Sequence, residues 1–212
     1  MKTRALRSQF IPASPVGAPR RLLVVLHGRG DSSDGFAWLP AALALPGVDY
    51  LLVDAPDPYL SGYSWYDLPP HQGPGVERSR GRLFELFDEI AAAGYQPAHI
   101  GLFGFSQGCL MTLDFGGRCT RALAAYVGVS GYCWRPRQLL TELTVQARRP
   151  AWLLTHGHHD EVLDFATTSS QVDQLVAGGL PVQFRAYEKG HTIDPVAELP
   201  DLRDFLAERL VV

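Results

Sequence analysis

"HIGLFGFSQGCLMTLDF", residues 99–115, is the stretch on which the fold turns. An apolar run hands over to a helix at Gly104-Phe105-Ser106-Gln107-Gly108, with a small polar residue at the junction. Glycines two positions before and two after it fit a very tight strand-to-helix turn, whose central residue takes unfavourable backbone angles and whose neighbours have almost no room for side chains. Strain of that kind is kept where a reactive group must stand clear of a sheet.

Working outward, five further apolar runs of similar length end in glycine, proline or a polar residue: RLLVVLHG (21–28), VDYLLVDAP (48–56), RALAAYVGVSG (121–131), RPAWLLTHG (149–157) and LPVQFRAYEKG (180–190). Helical stretches separate them. In residues 76–93, Leu83, Phe84, Leu86, Phe87 and Ile90 recur at the spacing of one buried face, and residues 165–177 place Phe165, Val172, Leu175 and Val176 on one stripe. Strands apolar on both faces, alternating with amphipathic helices, predict an α/β fold with a mostly parallel central sheet and helices on both faces. Ligands of such sheets bind beyond the carboxyl ends of the strands. The 212 residues, without repeat or low-complexity tract, are read as a single domain, 1–212.

A composition that is 46% apolar and 19% charged, with a formal net charge of −3, gives no footprint for nucleic acid or an anionic membrane surface. The first residues are basic but contain no apolar stretch long enough for a signal peptide, and no later run approaches a membrane span. A cytoplasmic protein with no stable membrane insertion is expected. Cys109, Cys119 and Cys133 are an odd number, so reduced thiols are expected rather than a disulfide framework, with Cys109 filling a buried slot.

The polar residues that need explaining sit just past strand ends. His27-Gly28-Arg29-Gly30-Asp31 follows the first strongly apolar strand, and its glycines let a backbone N–H come close to a ligand. Two readings stand open: the segment supplies one donor of an oxyanion hole, or it is a plain glycine turn between strand and helix. In the first reading the N–H of Gln107, at the helix start, is expected to be the second donor. Downstream, one strand end delivers Asp160 and the next delivers His191. Serine, then acid, then histidine is the chain order in which such a sheet supplies a nucleophile, an orienting carboxylate and a general base. Asp164 reads as a helix N-cap and Asp194 follows the histidine too closely, so Asp160 is preferred as the acid.

In order and spacing, LHGRGD, GFSQG, WYDL, THGHHDEV and EKGHTI resemble the phospholipase/carboxylesterase family, the small α/β-hydrolases that include acyl-protein thioesterases. The resemblance spans residues 22–191. It implies a cofactor-independent serine hydrolase with Ser106, Asp160 and His191 as catalytic triad and the backbone N–H groups of Arg29 and Gln107 as oxyanion hole. The implied substrate is a small-molecule ester or thioester, with lysophospholipids and acylated proteins as alternatives. Two departures stand out. Where relatives commonly read His-Gly-Asp-x-Asp-Pro, this chain has His156-Gly157-His158-His159-Asp160-Glu161, and Arg29 replaces a commonly apolar residue, which would favour anionic substrates.

Two rivals come from other classes. His156, His158 and Asp160 match part of the His-x-His-x-Asp ligand pattern of zinc hydrolases, although that reading leaves Ser106 and its glycines without a job. A non-catalytic binding protein on a hydrolase shell would be expected to have lost a triad member. No metal and no cofactor are expected.

The loop at residues 57–75 carries Tyr59, Tyr63, Trp65 and Tyr66 to the same sheet edge as Ser106. Tyr63, Trp65 and Tyr66 are expected to wall an open, shallow apolar groove for short to medium acyl chains, although Trp65 and Tyr66 could instead pin the loop to the body. An aromatic-rich loop would also suit a homodimer contact.

Overall fold

The six apolar runs become six parallel strands, and for the five interior ones burial on two faces explains why. A computed structural model describes residues 1–15 and 19–211. In chain order the strands are β1 (Ser8–Ile11), β2 (Arg21–Leu26), β3 (Val48–Val53), β4 (Asp57–Tyr59), β5 (Gly62–Ser64), β6 (Ile100–Phe105), β7 (Ala125–Val129), β8 (Ala151–Gly157) and β9 (Val182–Tyr187). The helices are α1 (Leu39–Leu43), α2 (Gln72–Ala92), α3 (Gln107–Arg118), α4 (Pro136–Thr141), α5 (Phe165–Ala177) and α6 (Glu198–Leu210). Seven strands form one sheet in the order β1-β3-β2-β6-β7-β8-β9, with β1 antiparallel and the rest parallel.

Alternate residues of each central strand face opposite sides, and both sides are covered. Leu22, Val24 and Leu26 pack toward Leu83, Leu86, Phe87 and Ile90 of α2 and toward α3 and α5. Leu23, Val25 and Phe103 pack toward Leu39 and Leu43 of α1 and Leu202, Phe205 and Leu206 of α6. Each such fully buried Leu or Phe side chain stabilises by about 1.5–3 kcal/mol. A strand that must satisfy both layers has no solvent face, which is why these runs read as continuous apolar stretches.

The structure adds elements that the sequence did not announce. The antiparallel edge strand β1 is four residues long and only half-buried, too short for an alternation to register. Helix α6 and the short α1 and α4 complete the cover. Helix α2 starts at Gln72, four residues ahead of the periodic stretch, and the loop at residues 57–75 contains a two-stranded hairpin, β4 with β5. On α5 the buried stripe is Thr168, Val172 and Leu175, whereas Val176 is 48% exposed and Phe165 is half-buried, stacking on Phe184. The expected stripe is therefore rotated, because α5 lies with its 168/172/175 side on the sheet.

All three cysteines are free and buried. Burial pushes the Cys109 thiol up to about 12, so it stays protonated. No helix among the described residues is long and apolar enough to cross a membrane.

Candidate active site

Ser106 lies between β6 and α3 with φ 53° and ψ −113°, a conformation that L-residues seldom take. The bracketing glycines permit it. A Cβ on Gly104 would fall 2.1 Å from the Gly108 carbonyl oxygen, and one on Gly108 would fall 2.2 Å from the Leu26 carbonyl oxygen. The helix start is thus pressed against β2 and β6 with no space for a methyl group. The Ser106 amide donates to the Val129 carbonyl at 2.9 Å, which ties the turn to β7.

Beyond β8 and β9 the chain brings two further residues to that turn. His191 Nε2 lies 2.9 Å from Ser106 Oγ, and His191 Nδ1 lies 2.8 Å from Asp160 Oδ2. The second contact requires Nδ1 to carry the proton donated to the carboxylate, which leaves Nε2 to accept from the serine hydroxyl. The other carboxylate oxygen, Asp160 Oδ1, accepts the amides of Val162 at 2.9 Å and Leu163 at 2.8 Å. Burial pushes the Asp160 carboxyl up, but the hydrogen bonds from Leu163, His191 and Val162 outweigh it and hold the group below the ordinary carboxylate range. An ionised Asp160 beside the imidazole follows.

Several supports were not legible as such. His156 is buried, and burial holds its imidazole below the ordinary histidine range, so it is neutral. Its Nε2–H donates to the Leu163 carbonyl at 2.9 Å and lies 3.4 Å from Asp160 Oδ2, bracing the turn that carries Asp160. Glu161, at a position where this chain departs from the family pattern, accepts the His191 amide at 3.3 Å. His27, also buried and held neutral by burial, accepts the Ala55 amide on Nε2 at 3.0 Å while its Nδ1–H donates to the Gly28 carbonyl.

The loop at residues 27–31 faces the start of α3. Gln107 is the first residue of that helix, so its N–H is one of the four that a helix leaves without an internal partner. The Gln107 side chain is turned away: Oε1 accepts the Trp65 amide at 2.9 Å and Nε2 donates to the Tyr66 carbonyl at 2.8 Å. Trp65 Nε1 donates to the His27 carbonyl at 2.9 Å. Gly30 donates to the Tyr63 carbonyl at 2.7 Å and Tyr63 donates to Asp31 at 2.9 Å.

These contacts correct two of the three aromatic expectations. Trp65 is fully buried and locks the loop carrying Arg29 to the body, rather than walling a groove. Tyr63 points its hydroxyl to Arg7 on another side of the hairpin. Tyr66 does line a groove of about 520 Å³ that opens onto Ser106, Gln107 and Arg29, with Leu68, Tyr132 and Leu163 among its walls. The Arg29 guanidinium stacks on the Tyr59 ring at 3.9 Å. Against His191, Phe105 and Trp38 lies a second hollow of about 260 Å³.

The rival carboxylates are occupied elsewhere. Asp164 caps α5 by accepting the Thr167 amide at 2.8 Å, and Asp194 accepts the Val196 and Ala197 amides at 3.0 and 2.6 Å. Nor do the histidines of the zinc pattern converge: His158 is partly exposed, packs on Phe165 and faces Glu188, while His156 is turned inward. Among the described residues no group of three His, Cys, Asp or Glu side chains is arranged to hold a metal ion.

The sequence profile of the phospholipase/carboxylesterase family matches residues 9–210. Acyl-protein thioesterase 1 of Yarrowia lipolytica is 31% identical over 172 residues, covering 73% of this chain and 75% of that one. The protein of the same name from Schizosaccharomyces pombe is 27% identical over 187 residues, covering 82% and 83%. Among solved structures, esterase PE8 superposes with a TM-score of 0.86 at 28% identity, covering 99% of this chain and 100% of that one. SOBER1 of Arabidopsis thaliana shares the fold, with a TM-score of 0.83 at 23% identity over 90% of this chain and 99% of that one.

Proposed function

The chain belongs to the phospholipase/carboxylesterase family, a serine hydrolase of the esterase/thioesterase type, and from that premise we propose that it cleaves carboxylic esters through a Ser106 acyl-enzyme. The observation that carries the reading is the unbroken series from Ser106 Oγ through His191 to Asp160 Oδ2 at 2.9 and 2.8 Å.

His191 Nε2 takes the hydroxyl proton as Ser106 Oγ attacks the ester carbonyl. The negative charge that forms on the carbonyl oxygen is met by the amides of Arg29 and Gln107, and the partial positive charge at the start of α3 adds to them. His191 then passes its proton to the leaving alcohol. In the second half-reaction His191 deprotonates water, which attacks the acyl-enzyme and returns Ser106. Asp160 keeps the imidazole in the tautomer that accepts at Nε2 and offsets the charge of the imidazolium.

The groove beside Tyr66, Leu68 and Leu163 is the acyl site in this reading, and the hollow against His191 takes the leaving group, because that is where a proton must be delivered. The groove measures about 520 Å³, within the range of ordinary ligand pockets, and short to medium acyl chains are the substrates expected in this reading. With p-nitrophenyl esters of increasing chain length, each methylene should add at most about 0.8 kcal/mol, about fourfold in kcat/KM, until the groove is filled. A value that keeps climbing through long-chain esters would contradict the short groove. Thioesters, the linkage named in the related thioesterases, present the same carbonyl and belong in the same assay.

A further inference from the structure

Behind His191 lies a charge pair that the reaction above does not use. Lys189 and Glu198 have side chains 2% and 0% exposed, and Lys189 Nζ lies 2.6 Å from each of the two Glu198 carboxylate oxygens, which share one of its N–H donors. The same ammonium donates to the Thr192 carbonyl at 2.7 Å and to Ser130 Oγ at 3.1 Å. Glu198 Oε2 also accepts the Asp194 amide at 2.9 Å. Through its backbone, Lys189 accepts the His159 amide at 3.1 Å, next to the acid.

These bonds reach the three segments that meet at the site. Thr192 follows His191 directly, His159 precedes Asp160, and Ser130 follows the Val129 carbonyl that receives the Ser106 amide. We propose that the Lys189–Glu198 pair is the positioning device of the site, fixing the loop after β9 so that the His191 imidazole stands between Ser106 and Asp160. This rests on the triad reading.

The physical case is one of alternatives. Two charges taken out of water carry a desolvation cost that an apolar pair of similar volume would avoid, so filling space or anchoring α6 does not call for them. An ammonium differs from a methyl group in having three directed donors. Here they are spent on a strand end, a loop carbonyl and a helix start. An apolar replacement would leave the Thr192 carbonyl with only the long 3.5 Å contact from the Ser130 hydroxyl and the loop free to shift, and a misplacement of about 1 Å at a reacting group costs on the order of 100-fold in rate.

The test separates positioning from packing. Lys189→Met leaves Glu198 buried without its partner and should lower both thermal stability and kcat. Lys189→Met/Glu198→Gln removes the unpaired charge, so stability should return toward that of the parent. If the pair positions His191, kcat of the double variant stays roughly 10- to 100-fold down with KM little changed, and the low-field proton resonance of the His191–Asp160 hydrogen bond shifts or broadens. Recovery of kcat together with stability, or an unmoved resonance with full kcat, would overturn the proposal; the double variant decides should the single one not fold. The resonance needs no turnover, so a parent protein that fails to hydrolyse esters would count against the triad reading and not against the pair.

Discussion

The two sides of the site are held in place by different physics. Ser106 sits near the centre of the sheet, where backbone contacts fix it: the Gly104 and Gly108 positions have no space for a Cβ, and the amide joins β7. Asp160 and His191 hang from loops beyond β8 and the edge strand β9, where side-chain hydrogen bonds and a buried charge pair do the holding. A residue placed by shape tolerates changes in surrounding side chains but no added atom. A residue placed by polar contacts is open to single-group deletions, since each partner left behind is buried and unsatisfied.

The largest effect should come from Ser106→Ala. It is expected to cut kcat by on the order of 10⁶-fold while the thermal midpoint stays near that of the parent, because the hydroxyl contributes little to the core. Esterase activity at more than a few per cent of the parent would sink the assignment. Next, Asp160→Asn should cost on the order of 10⁴-fold by presenting the wrong tautomer of His191. Asp164→Asn serves as its contrast: it weakens the cap of α5 and should leave kcat within a few-fold, and the reverse ranking would move the acid to Asp164.

Smaller again, Gly108→Ala tests the shape side. Its methyl group would meet the Leu26 carbonyl, so the elbow must shift; a rate loss on the order of 100-fold with a destabilisation of about 1–3 kcal/mol is expected. A fully active Gly108→Ala would show that close packing does not place the serine. Acid sensitivity probes the polar side. The Asp160 carboxyl is held below its ordinary value of 3.8, so its ionised form contributes stability above that pH, and the contribution is lost as pH falls through the lowered native value. The gap in melting temperature between parent and Asp160→Asn should therefore be widest near neutral pH and close in strong acid; a gap that widens in acid would contradict the direction of the shift. Least of all should Cys109 respond: at pH 8 its protonated, buried thiol is expected to resist iodoacetamide until the protein unfolds, as peptide mass spectrometry would show.

The same contrast explains what the sequence revealed. Glycine spacing around Ser106 reports backbone shape directly, and two-sided apolar runs report a covered parallel sheet, so the elbow and the five interior parallel strands are readable. Asp160 and His191 stand out as candidates by chain order because each follows a strand end, and the fold brings them 2.8 Å apart. Lys189, Glu198 and Glu161 look like ordinary surface charges in a one-dimensional string, and only the fold turns Lys189 and Glu198 inward toward each other. Trp65 is ambiguous in the sequence for a related reason: an aromatic side chain on a loop can line a groove or lock the loop, and the deciding fact is the His27 carbonyl that its indole meets. Edge strand β1 was too short to show a pattern.

The central claim, that Ser106 is a nucleophile activated by His191, is tested most directly by mass spectrometry after treatment with a fluorophosphonate. One adduct per chain, located on the peptide carrying Ser106, is expected for the parent, with none there in Ser106→Ala and labelling slowed on the order of 10³-fold or more in His191→Ala. An adduct on another residue, no adduct in the folded parent, or labelling as fast in His191→Ala would contradict it.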